Sequence, residues 1–218
     1  VPRIVREALH DAMEASLANV PAIEGKIYVL PDVSGSMHSP VTGHRAGATT
    51  QVRCIDVAAL VAAAFLRCNP SAEVIPFHDR VLRCDLAREG KVLDNARALA
   101  SLPSGGTNCA VPLQTLNERK ARGDLVVFVS DNESWIDNKP RGRGTAVMRA
   151  WDEFRTRNPR AKLVCIDVQP SATVQAPDRD DVLNVGGFSD AVFDTIAAFA
   201  SGGLRTDHWV GTIDAIPL

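Results

Sequence analysis

The sequence predicts a three-layer α/β domain in which a mostly parallel, six-stranded sheet is doubly wound between two layers of helices. Three observations predict this class. Short apolar runs of strand length alternate along the chain with longer segments of helical periodicity. One helical segment is apolar on nearly all of its surface, as expected of a helix buried against a sheet. The 218 residues are enough for one medium-sized domain with a substantial core.

The first predicted element is a helix over Pro2–Leu17. Its apolar residues recur at helical spacing: Ile4, Val5, Ala8, Leu9, Met13 and Leu17. Pro21 lies in the break that follows. We therefore expect residues 1–22 to be a connecting helix and linker, and residues 23–218 to be the domain itself. Because the chain begins at Val1 rather than at a methionine, we expect it to be part of a longer protein.

Predicted helices separate most of the predicted strands, which favours parallel pairing. Strands are expected over Ile27–Leu30, Ala72–Phe77, Leu125–Ser130, Leu163–Val168 and Asp181–Val185. Helices are expected over Gln51–Arg67, Val92–Leu102, Val111–Ala121, Thr145–Arg157 and Ala191–Ala200. The strand Ile27–Leu30 is expected to be central, with the apolar helix Gln51–Arg67 packed under it.

The sixth strand is predicted from a tight turn. His78 and Asp79 follow the strand Ala72–Phe77, and the stretch Val81–Cys84 comes soon after them. Two strands joined by so short a turn pair in antiparallel fashion. We therefore expect one antiparallel strand at an edge of the sheet, and we interpret His78 as a turn residue rather than a catalytic base.

The composition is that of an ordinary globular domain. Hydrophobic residues make up 45% of the chain and charged residues 23%, so the sequence is typical of neither disorder nor a membrane protein. The net charge of -2 gives no reason to expect general nucleic-acid binding. We recognise no signal peptide and no apolar run long enough to cross a bilayer, so we expect a cytoplasmic location without a membrane partner. The five cysteines include no C-x-x-C pair and are expected to be reduced thiols.

Three oxygen-bearing side chains follow the first predicted strand at alternate positions: Asp32, Ser34 and Ser36. A turn past the carboxyl end of a strand can direct all three toward one point. Carboxylates and hydroxyls bind hard cations such as Mg²⁺, Mn²⁺ or Ca²⁺, whereas zinc prefers sulfur and imidazole. The alternative is a Ser/Gly turn in which Asp32 bonds to its own backbone. This stretch alone does not separate the two interpretations.

Two later stretches favour the metal site. A Gly-rich turn, Leu102–Asn108, presents the hydroxyl of Thr107, and the predicted strand Leu125–Ser130 is followed by the carboxylate of Asp131. In open α/β sheets, ligands bind at the carboxyl ends of strands, near the point where the strand order reverses. The sequence therefore predicts an oxygen-only metal cage formed by Asp32, Ser34, Ser36, Thr107 and Asp131.

The motif Asp32-Val33-Ser34-Gly35-Ser36 resembles the D-x-S-x-S signature of von Willebrand factor A domains. Thr107 and Asp131 fall where that family places its remaining metal-site residues. A narrower resemblance is to the A domain of Ro (TROVE) ribonucleoproteins of bacterial type. It is carried by Pro103–Cys109, Val127–Trp135 and Gly187–Asp190. It extends from Ile27 to Phe199. Most A domains have glycine directly after the last metal-site aspartate, whereas this chain has Asn132-Glu133, a departure that Ro proteins share.

The resemblance implies an octahedral Mg²⁺ site, with Mn²⁺ or Ca²⁺ as alternatives. Ser34 and Ser36 would bind the metal directly through their hydroxyls. Thr107 would bind directly or through water, and Asp32 and Asp131 would act mainly through bound waters. An acidic ligand from a partner would complete the coordination shell.

The resemblance also implies partners. Ro proteins pair a C-terminal A domain with a ring of helical repeats that binds noncoding Y RNA, and bacterial Ro particles cooperate with an exoribonuclease. The present chain is too short to contain the ring. We therefore expect the ring to lie elsewhere in the same protein, Y RNA to be bound through it, and the exoribonuclease link to be indirect. The domain itself is expected to bind single-stranded RNA weakly, with Lys139, Arg141 and Arg143 as candidate contacts for RNA or a partner.

Two enzymatic functions are alternatives. A metal-dependent phosphohydrolase or nuclease usually gathers several carboxylates and a base, but the predicted cage has only Asp32 and Asp131, with Glu133 nearby. A serine hydrolase using Ser36 would need a nucleophile elbow, and no G-x-S-x-G surrounds this residue. We therefore expect a metal-binding interaction module of a Ro-type ribonucleoprotein, involved in noncoding-RNA binding and RNA quality control, and not an enzyme.

Overall fold

The computed structural model describes residues 2–42, 50–131, 145–169, 176 and 179–203, which form a parallel sheet enclosed by helices. The strands are β1 (Ile27–Pro31), β2 (Glu73–Val74), β3 (Leu125–Ser130), β4 (Lys162–Asp167) and β5 (Val182–Gly186). The helices are α1 (Arg3–Ser16), α2 (Cys54–Cys68), α3 (Val92–Ala100), α4 (Val111–Glu118), α5 (Ala146–Arg157) and α6 (Asp190–Ser201). Short 3₁₀ turns lie at Leu17–Asn19 and Ser36–His38.

The strand order is β2-β1-β3-β4-β5, and every neighbouring pair is parallel. β1 lies inside the sheet, as predicted, and its register with β3 runs from Ile27↔Leu125 to Pro31↔Val129. The chain steps outward from β1 to β2 and then crosses back to β3, so the strand order reverses between β1 and β3. The predicted doubly wound fold class is therefore confirmed.

The side chains of β1 alternate between two hydrophobic cores, one on each face of the sheet. Ile27 and Val29 pack into the core shared with α2, α3 and α6, whereas Tyr28 and Leu30 pack into the core shared with α4 and α5. This alternation is the period-two pattern of a strand that is covered on both faces. Ten residues of α2 are buried, which confirms the predicted burial of the apolar helix.

The predicted antiparallel strand over Val81–Cys84 is not a strand in the structure. Phe77 and Val81 form one isolated antiparallel bridge, and the Leu82 N–H donates to the Pro76 carbonyl at 2.8 Å. Pro76 has no N–H to return the bond, so the ladder ends there. The preceding strand is also shorter than predicted, because β2 contains only Glu73 and Val74. Within the described residues the sheet thus has five strands rather than six.

The remaining element predictions agree with the structure to within a few residues at each end. α1 has no buried residue and contacts the domain through its carboxyl half, where the Glu14 carboxylate accepts from the Val92 N–H at 2.8 Å. α6 ends at Gly202, whose φ of +89° suits glycine. None of the five cysteines, all of which lie in the described residues, forms a disulfide. Among the described helices, none is both long and apolar enough to span a membrane.

Candidate metal centre at the carboxyl edge of the sheet

The predicted metal ligands lie at the carboxyl edge of the sheet, where β1 and β3 meet. The Asp32 N–H donates to the Val129 carbonyl at 2.9 Å, so the β1–β3 ladder continues to the first predicted ligand. Asp32 and Asp131 are both buried, with 0% and 6% of their surface exposed. This position is the point of strand-order reversal at which α/β sheets bind ligands.

Asp32 is a carboxylate held by neutral donors. One of its oxygens accepts from the Ser34 N–H at 2.8 Å, and the other accepts from the Ser130 hydroxyl at 2.9 Å. Burial raises the pKa of Asp32 to about 6, and the nearby Asp131 carboxylate acts in the same direction, whereas the bonds from Ser34 and Ser130 lower it. The site therefore destabilises its own negative charge, and a cation placed there would relieve this cost.

The two serines are brought side by side by the turn after β1. The hydroxyl oxygens of Ser34 and Ser36 lie 3.2 Å apart. Ser34 is fully buried, whereas Ser36 opens the 3₁₀ turn and is half-buried. This turn is tied to the start of α2, because the Cys54 N–H donates to the Ser39 carbonyl at 3.0 Å. The serine hydroxyls thus have a defined position next to the Asp32 carboxylate.

Thr107 is delivered by a loop that contacts the serine turn through its backbone. The Gly35 N–H donates to the Gly105 carbonyl at 3.0 Å, and the Asn108 N–H donates to the His78 carbonyl at 3.0 Å. A Cβ atom on Gly105 would lie 2.8 Å from Nδ1 of the buried His78, so only glycine fits there without displacing that ring. Thr107 itself is buried, with 3% of its surface exposed.

The structure therefore brings the sequence-predicted residues together at one edge of the sheet. They comprise two carboxylates and three hydroxyls: Asp32, Asp131, Ser34, Ser36 and Thr107. Such an all-oxygen donor set fits a hard cation of the Mg²⁺ type. Within the described ranges no three His, Cys, Asp or Glu side chains cluster, so a zinc-type ligand set is not found there.

Sequence reasoning missed the part played by Ser130. Its hydroxyl donates to Asp32 across the β1–β3 pair, and the signal that could have found it is its place at the tip of β3, directly before Asp131. Cys54 also lies close to the site. Burial, together with the charges of Asp131 and Asp167, raises the pKa of its thiol to about 11, so it stays protonated and is a poor metal ligand.

The candidate RNA or partner contacts Lys139, Arg141 and Arg143 lie outside the described residues, as does Glu133. The helix that follows them, α5, begins as predicted at the cap residue Thr145, whose hydroxyl accepts from the Met148 N–H at 3.2 Å.

Comparison with known proteins relates the chain to one family and to relatives that include the following. A protein-family model described as the Ro60 vWA domain matches residues 26–200. The RNA-binding protein RO60 of Deinococcus radiodurans is 28% identical to the chain over 204 residues, which make up 93% of the chain and 36% of the relative. The crystal structure of the Deinococcus radiodurans RO (RSR) protein superposes with a TM-score of 0.73 at 27% identity, over 94% of this chain and 39% of that one. The chain thus spans less than half the length of these relatives.

Proposed function

This chain belongs to the Ro60 family of von Willebrand factor A domains, and from that premise we propose that it is a metal-dependent interaction module of a Ro-type RNA-binding protein. The family model matches most of the chain, and the curated relative is named as an RNA-binding protein. RNA is therefore the proposed partner class of the whole protein, and the domain contributes a binding site to it.

The proposal depends chiefly on the convergence of oxygen donors from three separate segments of the chain. The turn after β1 supplies Asp32 and the two serines, the Gly-rich loop supplies Thr107, and the tip of β3 supplies Asp131. A polar turn without a ligand would not need buried hydroxyls and carboxylates from distant segments, because burying such groups costs free energy. A bound cation would interact with all of these oxygens and so offset the cost of burying them.

Each residue has a distinct proposed role. Ser34 and Ser36 would bind Mg²⁺ through neutral hydroxyls, so the cation keeps most of its charge. Asp32 and Asp131 would hold the ion mainly by accepting hydrogen bonds from the waters bound to it. Thr107 would bind directly or through water. The metal would supply an acceptor position for an anionic oxygen, such as a carboxylate of a partner protein, and Mn²⁺ or Ca²⁺ would substitute for Mg²⁺.

Binding rather than catalysis is the function that the geometry favours. The Ser36 hydroxyl bonds to the Ser34 hydroxyl, and neither hydroxyl forms a hydrogen bond to a histidine among the described residues. His78 Nδ1 is engaged by its neighbour Asp79, at 2.6 Å from both the backbone nitrogen and a carboxylate oxygen. A general base for activating water or a hydroxyl is thus not placed among the described groups of the site. We propose that the domain is not an enzyme.

The wider assembly follows from family membership. We propose that a helical-repeat ring elsewhere in the same protein binds Y-type noncoding RNA, and that the domain takes part in RNA quality control through this ring. An exoribonuclease would be an indirect partner, and the proposed location is the cytoplasm. These proposals concern a whole protein of the relative's kind, whereas the present chain matches only 36% of the curated relative.

Isothermal titration of Mg²⁺ and of Mn²⁺ into the chain tests the metal site. The wild type should show saturable heat, and Asp32→Ala should show none. Asp94→Ala, which removes an exposed carboxylate from α3, is the matched control and should bind as the wild type does. Equal heats for the wild type and Asp32→Ala would refute the site. Hydrolysis of RNA or a phosphoester by the chain with Mg²⁺, abolished by Asp32→Ala, would instead establish a nuclease or phosphohydrolase.

A further inference from the structure

The amino edge of the sheet, opposite the metal site, brings two loops together. One loop joins α4 to β3 and the other joins α5 to β4. The Asn158 side chain in the second loop forms two hydrogen bonds with the backbone of the first loop. It donates to the Ala121 carbonyl at 3.1 Å and accepts from the Gly123 N–H at 3.2 Å. The Arg122 guanidinium in turn donates to the Arg157 carbonyl. The two loops therefore form one continuous surface.

This surface is basic although the chain as a whole is not. Segments 118–124 and 155–162 contain seven cationic residues and two acidic ones, while the chain has a net charge of -2. Acids from other segments neutralise three of the cations: Arg119 pairs with Glu73 at 2.7 Å, Arg155 with Asp181 at 3.1 Å and, more loosely, Arg157 with Glu153 at 3.8 Å. The acids thus pair with cations at the flanks of the surface, since Glu73 lies on β2 and Asp181 directly precedes β5, and the loop tips stay positive.

Four cations remain. Lys162 donates to the Phe199 carbonyl, and the other three lie at the loop tips. Lys120, Arg122 and Arg160 are exposed, and none of the three forms an ion pair within the part of the chain that the structure describes. We call these three residues the basic edge. Long, exposed cationic side chains on adjoining loops are suited to a partner with repeated negative charges.

Lys120 is held in a backbone conformation that lysine disfavours. Its φ is +51°, and it is the only residue other than glycine with positive φ among the described residues. It ends α4 in a Schellman arrangement, in which the Ala121 N–H donates to the Leu116 carbonyl at 2.9 Å. Glycine is usual at this position because it has no Cβ to crowd the backbone. The sequence therefore places a cation at the loop tip where glycine would be more stable.

We propose that the basic edge binds the phosphate backbone of RNA. The choice of RNA rests on the proposed function, whereas the surface itself does not depend on the metal site. Contacts to phosphates position a nucleic acid without reading its sequence. The Tyr28 ring, which lies against Gly123 of the first loop, is not available for stacking on bases, because it is buried and lies 5.0 Å from Lys26 Nζ and 5.3 Å from the Arg119 guanidinium. Binding is thus sequence-independent, salt-sensitive and weak for the isolated chain.

The test compares two triple variants of the 218-residue chain. One removes the basic edge (Lys120→Gly, Arg122→Gln and Arg160→Gln). The matched control removes three exposed cations from α1, the loop after β2 and the start of α3 (Arg6→Gln, Arg83→Gln and Lys91→Gln). Fluorescence anisotropy with a labelled oligouridine, in EDTA, measures affinity as the salt concentration is varied between about 50 and about 200 mM. EDTA removes any contribution of a bound metal, so the result does not depend on the metal site.

The basic-edge variant should bind at least about tenfold more weakly, and its slope of log K against log salt should be shallower by about 2, because each lost phosphate contact contributes about 0.7. The control should keep the wild-type affinity and slope. The single variant Lys120→Gly should melt at a higher temperature and still bind RNA more weakly, a combination that damage to the fold cannot produce.

Two results would overturn the proposal. The first is an equal loss of affinity in the basic-edge variant and the control. The second is displacement of oligouridine by polyglutamate at equal charge concentration as effectively as by unlabelled oligouridine, since the surface would then select an acidic protein rather than RNA.

Discussion

The two edges of the sheet contrast in the way they hold charge. At the carboxyl edge, Asp32 and Ser34 are fully buried and are fixed by hydrogen bonds to neighbouring backbone and hydroxyl groups. At the amino edge, Lys120, Arg122 and Arg160 are exposed. A small hard cation demands near-ideal donor geometry, which only buried, preorganised groups provide. A flexible polyanion demands adaptable charge, which long exposed side chains provide. We therefore propose that one fold can serve two binding chemistries by placing charge at different depths.

The largest expected effect concerns the buried charge of the carboxyl edge. Asp32→Asn should stabilise the metal-free protein by up to about 3 kcal/mol at pH 7.5, a pH chosen well above the Asp32 pKa, because that pKa is raised from 3.8 to about 6. Saturating Mg²⁺ should cancel most of this difference in stability between the variant and the wild type. At a concentration of about 100 times Kd, the ion should add about 2.7 kcal/mol to the wild type and nothing to the variant. Chemical denaturation with and without Mg²⁺ measures both changes.

Arg160→Gln at the amino edge is the control for that experiment, because Arg160 is exposed. Its stability should stay within about 0.5 kcal/mol of the wild type in either buffer. A wild type that Mg²⁺ does not stabilise would remove the proposed contrast between the edges.

The same charge predicts a pH dependence. The pKa of Asp32 is about 6 in the folded protein and near 3.8 when unfolded, so between these pH values the folded state binds more protons. Stability contributed by this group is therefore present below about pH 4 and is lost as the pH rises toward 7. The advantage of metal-free Asp32→Asn over the wild type should grow across that window and be constant above it. Denaturation of both proteins at several pH values in EDTA checks this, and a constant difference would contradict it.

Substitution of one glycine near each edge distinguishes a loss of protein stability from a loss of Mg²⁺ binding. A Cβ on Gly105 would lie 2.8 Å from the His78 ring, and a Cβ on Gly123 would lie 2.7 Å from the Tyr28 ring. Substitution by alanine should destabilise the protein by about 1–3 kcal/mol in each case, because both rings are buried. Only Gly105→Ala should also weaken Mg²⁺ binding, since its loop carries Thr107. Denaturation and metal titration of both variants decide the matter, and equal metal affinities would show that the Thr107 loop is not part of the site.

The smallest expected change in stability is that of Ser36→Ala, a variant that tests whether Ser36 is a direct metal ligand. Ser36 is half-buried, so Ser36→Ala should change stability by no more than about 0.5 kcal/mol. Its Mg²⁺ affinity should fall at least about tenfold, because a direct ligand is lost. Ser39→Ala, at the end of the same turn, is the matched control and should bind Mg²⁺ normally. Titration calorimetry compares the three proteins, and normal binding by Ser36→Ala would exclude Ser36 as a ligand.

The local elements and the motif after the first strand were predictable from the amino-acid sequence without any structure. The buried helix α2 and the strand β3 follow from apolar patterns that need no knowledge of distant residues. Asp32, Ser34 and Ser36 were predictable as a group because one short turn holds all three. Thr107 and Asp131 were predicted as further members from the Gly-rich turn and the strand that ends in a carboxylate, and the family resemblance assigned metal-site residues to the same two positions.

Contacts between segments far apart in sequence were not predictable in this way and are seen only in the three-dimensional structure. The Ser130 hydroxyl reaches Asp32 because β1 and β3 are neighbours, 98 residues apart along the chain. Lys120 and Arg160 share a surface because Asn158 joins their loops. The expected strand at Val81–Cys84 failed for a related reason: its apolar residues favour a strand, but a strand needs a partner whose N–H groups are available, and Pro76 has none. Local patterns specify which element a segment can form, whereas strand order and pairing specify which side chains meet.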